Sequence, residues 1–164
     1  MENPLLELQE YENLREALKR AKGPVQATGT LDSQKVHLMY WLGKDGGFPW
    51  KLVVTYDDQR AREIYDDFRS FTENVWLYPA KDLLFYSADI HGNLMTRQRI
   101  AVWRHLMEEK EGVVVTTLDG LMDHLLPLVF LKQQAVTVEN GQIMDLDEWK
   151  ERLTAPGLSL IHIS

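Results

Sequence analysis

Apolar residues return along this chain in two rhythms. Over roughly 4–22, Leu8, Tyr11, Leu14, Leu18 and Ala21 recur at steps of three and four, the spacing that gathers side chains on one helix face. Lys19, Arg20 and Lys22 close the segment, where positive charge suits the carboxyl end of a helix dipole. Gly23-Pro24 stops it. A short extended piece, 25–28, leads into a loop, and a helix is expected from about Ser33 to Leu42. GKDGGFPW at 43–50 is turn-rich. KLVVT at 51–55 is a continuous apolar run of the kind that parallel sheets bury. Asp57 and Asp58 stand at a helix start, and Ala61, Ile64, Phe68 and Phe71 mark one face of that helix. NVWLYP at 74–79 predicts a second strand ended by Pro79. Residues 80–93 carry no clear period. From about 94 to 110 a further helix is expected, with Ile100, Trp103 and Met107 in phase, broken by Gly112. VVVTT at 113–117 predicts a third strand, and Thr117 can cap a short helix through His124 before Pro127.

Strand, helix, strand, helix, strand is the order of an α/β fold with a parallel sheet. Right-handed crossovers place helices on both sheet faces, and ligands usually bind beyond the carboxyl ends of the strands. The loop at 28–36 falls at such a place. After about residue 130 the composition changes. QAVTVENGQIMD holds two strand-like pieces around Asn140-Gly141, a hairpin signal, and DLDEWKERL at 145–153 opens as a helix. The expected division is an α/β domain over 1–129, the beginning of a second, incomplete domain over 130–155, and a non-native tail over 156–164.

Composition narrows the classes. The 164 residues suffice for about one domain, and with 45% of them hydrophobic a packed core is expected. There is no cysteine, which excludes disulfides and thiolate metal sites. A net charge of −7 argues against general affinity for a phosphate backbone. The acidic start MENPLLELQEYENL lacks a signal peptide's apolar run, and LLPLVFL at 125–131 is far short of the roughly 20 apolar residues that span a bilayer. These features predict a cytoplasmic protein with no membrane contact.

TGTLDSQKV at 28–36 is the one stretch near a phosphate-binding motif, Gly, four residues, Gly, Lys, Ser or Thr. Gly29 and Lys35 have the right spacing. Gln34 stands where the second glycine belongs, and Val36 where the hydroxyl belongs. Gln34 brings a Cβ where unusual backbone angles are needed, and Val36 has no oxygen to ligate Mg²⁺. On spacing alone, a chance match is the better reading. Hydrolysis would also need a carboxylate pair at a strand end. Asp119 reads instead as a first-turn helix residue, and no strand ends in Asp-Glu.

Other candidates are weaker. His91 near Asp89 has no third ligand at useful spacing and reads as turn chemistry, so no metal site is expected. His105 and His124 read as packing or partly exposed helix residues. Ser87 lacks the Gly-x-Ser-x-Gly turn that exposes a nucleophile. Arg97, Arg99 and Arg104 could form a polar or partner-binding face, but with a net charge of −7 salt bridges to acids such as Glu108 and Asp89 are the favoured reading. Tyr78, Phe85 and Tyr86 could stack bases, but core packing at strand ends is common for such residues, and no damage-specific grip on DNA is expected.

LYPAKDLLFYSADIHGN at 77–93, RQRIAVWRHL at 97–106 and VVVTTLDGLMDHLLP at 113–127 resemble, in order, the N-terminal region of bacterial transcription-repair coupling factors. KLVVTYDDQRAREIYDDF at 51–68 fits the same family, and ENGQIMDLDEWKERL at 139–153 is similar to the start of its second domain. The resemblance covers about residues 4–155. It implies a UvrB-like, P-loop NTPase-like (helicase-like) sheet flanked by helices, with the start of a small inserted α+β domain. It implies a noncatalytic module of a larger protein, which is itself an ATP-dependent DNA translocase that displaces stalled RNA polymerase and recruits UvrA. In that setting 28–36 becomes a relic phosphate loop, disabled at Gln34 and Val36. No cofactor is expected for this segment, since ATP and Mg²⁺ belong to the parent's translocase domain, as does contact with DNA. The aromatic DNA-inserting hairpin of UvrB has no room between LFYSADIHGN and the next helix. PGLSLIHIS at 156–164 departs from the family pattern, so the UvrA-contact residues are expected to be missing. The rival reading is an active nucleotide-dependent helicase core of the excision-repair type, which differs at positions 34 and 36 and in the missing Asp-Glu pair.

Overall fold

Three runs of β-branched and aromatic residues build the sheet. In the computed structural model, residues 2–80, 89–122 and 145 are described, with backbone alone for residues 33 and 89–96. The chain divides into two units, Met1–His124 and Leu125–Ser164, and every element below belongs to the first. A 3-10 turn, Pro4–Glu7, precedes α1 (Gln9–Arg20) and α2 (Asp32–Asp45). Then follow β1 (Trp50–Thr55), α3 (Asp58–Arg69), β2 (Val75–Tyr78), α4 (Asp89–Glu108), β3 (Gly112–Thr117) and α5 (Leu118–Met122).

The three strands are parallel, in the order β1-β3-β2. In register, Val53 lies opposite Val115, and Leu77 lies opposite Val115 from the other side. The chain passes from β1 over the position of β3 to β2, then returns to the middle. Crossovers of one hand in opposite directions put their helices on opposite faces. Accordingly α3 buries Ala61, Ile64 and Phe68 against Val53, Val75, Val113 and Val115. On the other face Val102 of α4 packs with Tyr78 and Val114, flanked by Trp50, Trp76, Trp103 and Leu106. The α/β class and both-faced helices expected from the pattern are present. Phe68, 1% exposed, anchors the first core, and burial of such a ring contributes about 2–3 kcal/mol.

The structure corrects several boundaries. The first helix does not run unbroken over 4–22. Asn3 caps the 3-10 turn by accepting from the Leu5 N–H at 2.9 Å, and Leu8 is extended before α1 begins. Of the expected apolar face, Tyr11 is buried while Leu8 and Leu18 are 49% and 40% exposed. Residues 25–28 form no strand; only Val25 among them is even half-buried, so no apolar face draws the segment into a sheet. α2 runs through Gly43 and Lys44 to Asp45, past the turn expected at 43, because Asp45 is tied to α1. β1 is not buried on both faces: among the described strands it has β3 as its single neighbour, and Leu52 and Val54 are 58% and 44% exposed. β3, between two neighbours, is buried along its whole length. α4 begins at Asp89 rather than 94, and its inner face is Arg99, Val102, Trp103 and Leu106, with Ile100 turned outward at 61% exposure. Thr117 caps α5 as expected, accepting from the Gly120 N–H at 3.2 Å. Ser87, Phe85, Tyr86, His124 and the proposed second domain and tail, 130–155 and 156–164, lie outside the described residues apart from Asp145.

Candidate functional site

The loop at 28–36 and the helix that follows place the candidate site at the carboxyl end of the sheet. Gly29 has φ +85°, a backbone region that favours glycine. Asp32 opens α2, and position 34 lies in its first turn. The Gln34 side chain folds back, its Oε1 accepting from the Leu31 N–H at 3.1 Å. The glutamine thus satisfies one of the free backbone donors at the helix start.

Lys35 reaches back along the helix surface to the first residue of α2. Its ammonium pairs with the Asp32 carboxylate at 2.8 Å, one helical turn back. Arg60, in the first turn of α3, reaches the same carboxylate at 3.2 Å and also pairs with Glu63 at 2.8 Å. The Lys35 hydrogen bond, then Arg60, hold the Asp32 carboxyl below its ordinary pKa. Glu63 is lowered chiefly by its hydrogen bond from Arg60, and Arg60 is raised chiefly by the same bond. The charges therefore form a linear chain of pairs, Lys35–Asp32–Arg60–Glu63, exposed except at the half-buried Arg60. Val36 points the other way, into the core beside Phe68 and Val115, at 1% exposure. A hydroxyl at this position would face apolar side chains rather than the loop.

The arginines on α4 do not form one face. Arg99 is 8% exposed, donates from Nε to the Tyr78 hydroxyl at 3.0 Å, and stacks its guanidinium 4.5 Å from the Tyr78 ring centre. Arg97 is exposed, and Arg104 pairs with Glu108 at 3.6 Å on the outer side. Tyr78 is thereby a core residue. Asp119 is exposed in the first turn of α5. His105 stacks on Trp76 at 4.6 Å. Asp89 and His91 lie in the first turn of α4, where side chains are not described. Among the described residues no group of three or more His, Asp or Glu could hold a metal ion, and no helix is long and apolar enough to cross a membrane.

Sequence reasoning missed three partnerships. Asp32 and Lys35 were legible as a pair three residues apart on a helix, whereas Arg60 joins them only through the fold. At the other end of α2, Asp45 accepts from Tyr11 Oη and Asn3 Nδ2, each at 2.8 Å, and fixes α1 against the body. Burial and the hydrogen bond to Asp45 push the Tyr11 hydroxyl up to about 12. Trp41 Nε1 donates to His37 Nε2 at 2.9 Å, an i,i+4 contact on α2.

Comparison with known proteins places this chain in a particular neighbourhood. Over 108 residues, 65% of its length, it is 23% identical to the transcription-repair-coupling factor of Staphylococcus haemolyticus. The same identity and coverage hold for the transcription-repair-coupling factors of Staphylococcus aureus and Staphylococcus epidermidis. The chain spans 9% of the length of these relatives. No protein-family model matches the chain, and no solved structure matches it. The similarity supports a relation to transcription-repair coupling factors.

Proposed function

We propose that this chain is part of the N-terminal, UvrB-like module of a transcription-repair coupling factor, and that it is a noncatalytic scaffold. The parent protein would be an ATP-dependent DNA translocase that displaces stalled RNA polymerase and recruits excision repair through UvrA. In this reading the fold is a remnant of the P-loop NTPase kind. The parallel sheet with helices on both faces and the relation to the staphylococcal proteins support it. ATP and Mg²⁺ act elsewhere in the parent, and the UvrA-contact residues lie beyond this segment.

One observation carries the noncatalytic reading. The two functional positions of the loop point in opposite directions: Lys35 outward onto Asp32, and Val36 inward onto the core. A triphosphate-Mg²⁺ site needs the lysine and a hydroxyl converging on the same phosphates. Here the lysine's charge is met by the Asp32 carboxylate, and position 36 offers only hydrocarbon. The segment 25–28, which would hold the loop rigid as a strand, stands outside the sheet.

Calorimetry with ATP and Mg²⁺ tests this directly. The folded chain should show no uptake at micromolar nucleotide and no turnover. Metal-dependent micromolar binding that disappears in Lys35→Ala would replace the scaffold with the rival reading, a nucleotide-dependent helicase core.

A further inference from the structure

The amino end of the sheet holds a cavity remote from the loop at 28–36. It encloses about 270 Å³ between the last turns of α2, the turn at 47–49 and the starts of β1 and β3. Tyr40, Phe48 and Pro49 give it an apolar wall, and Thr72 and Asn74 a neutral polar one. Two lysines, Lys44 and Lys51, line it.

Lys51 is set there by packing. It is the second residue of β1, and alternation along the strand turns it toward the α3 side. Its stem lies across Gly43 of α2. A Cβ at position 43 would stand 2.6 Å from Lys51 Cε and 3.1 Å from Cγ, so the flexible stem would have to move aside. Glycine at 43 therefore leaves the channel along which the lysine reaches the cavity. Lys44 lies over the Tyr40 and Trp41 rings, 5.8 and 5.0 Å from their centres. Among the described residues no carboxylate lies within ion-pairing distance of either ammonium. This contrasts with Lys35, whose charge is already met. Thr72 Oγ1 accepts from the Asn74 N–H at 3.1 Å, which leaves its own proton free to donate. Among the described residues the acid at the cavity is Glu111, an exposed residue of its lining.

We infer that this cavity binds a small organic anion, a phosphate monoester with a flat apolar body. Lys51 meets the anionic group, Thr72 donates to it, and Phe48 and Tyr40 contact the flat part. A positive side chain held in a partly enclosed, partly apolar space attracts an anion more strongly than one in open water, because screening is weaker. Glu111 opposes the same ligand and weakens it.

The full chain titrated with phenyl phosphate at fixed ionic strength tests the assignment, with amide shifts as the readout. Saturable shifts at Gly43, Asn74 and Gly112 are expected in the millimolar range or below. Lys51→Met, which keeps the stem, should weaken binding tenfold or more without changing the thermal midpoint. Gly43→Ala should weaken it by displacing the stem, and Glu111→Gln should tighten it a few-fold. Inorganic phosphate should bind less well than phenyl phosphate. Absence of saturable shifts, equal binding by Lys51→Met, or phosphate binding as tightly as its phenyl ester would overturn the assignment.

Discussion

Lys35 and Lys51 sit at opposite ends of one small sheet, and the fold uses them differently. At the carboxyl end, Lys35 resembles a motif lysine in sequence, yet its charge closes on Asp32 and, through Arg60, on Glu63. At the amino end, Lys51 belongs to no motif, yet packing against Gly43 aims it into a cavity with no carboxylate in pairing range among the described residues. α2 joins the two ends, with its first turn at the loop and its last turn at the cavity. The difference teaches that spacing in sequence identifies residue types, while the availability of a charge depends on which acids the fold brings near it.

The largest expected effect comes from rebuilding the motif. Val36→Thr would place a hydroxyl in the core beside Phe68, among apolar side chains, with only the carbonyls of its own helix within reach. A buried polar group so poorly paired costs about 1–3 kcal/mol, so denaturant unfolding should register a loss in that range. Adding Gln34→Gly should deepen the loss, since the side-chain bond to the Leu31 N–H goes with it. Gain of ATP binding by this pair would erase the contrast between the two ends.

A middle-sized effect belongs to the anchor that fixes the far end of α2. Tyr11→Phe removes the hydrogen bond to Asp45, and a loss of about 1 kcal/mol at neutral pH is expected. The Tyr11 hydroxyl titrates at about 12 in the folded chain against an ordinary 10.0. Its contribution is therefore fully present below pH 10.0 and fades as pH rises toward 12. The stability difference between the native chain and the Tyr11→Phe variant should shrink across that window. A difference that stays constant there would mean that the hydroxyl is not held protonated by the fold.

Asp32→Asn should have the smallest effect on stability, because its ion pairs are exposed and surface pairs contribute little. Its carboxyl should titrate below the ordinary aspartate range by NMR, and move upward in Lys35→Met. The sign follows: the pairing stabilises above the unfolded-state pKa and is lost as pH falls through the lowered one. An ordinary titration would mean that Lys35 is freer than its geometry indicates, which would weaken the contrast with Lys51.

Much of the architecture was legible because it rests on local periodicity. The strands at 51–55, 74–79 and 113–117, and the α3 face of Ala61, Ile64 and Phe68, emerge from spacing alone, since one apolar face per helix must be buried. The candidate loop was legible only as composition. Gln34, Lys35 and Val36 were noted, but their directions were not, because adjacent helical residues diverge by about 100°. The misplaced phase on α4 has a related cause. Ile100 and Met107 looked like core by hydrophobicity, whereas Arg99 holds the inner position through the Tyr78 ring and hydroxyl.

By itself the sequence determined the α/β class, the parallel strands and the turn chemistry at Gly23-Pro24 and Thr117, because each depends on residues within a turn or a strand of one another. Tertiary structure alone decided that β1 meets a single neighbour among the described strands, that residues 25–28 stay outside the sheet, that Arg60 closes on Asp32, and that Lys51 faces a cavity. Those outcomes depend on contacts between residues far apart in the chain, and the burial and pairing energies that select them exist only once the helices have closed on the sheet.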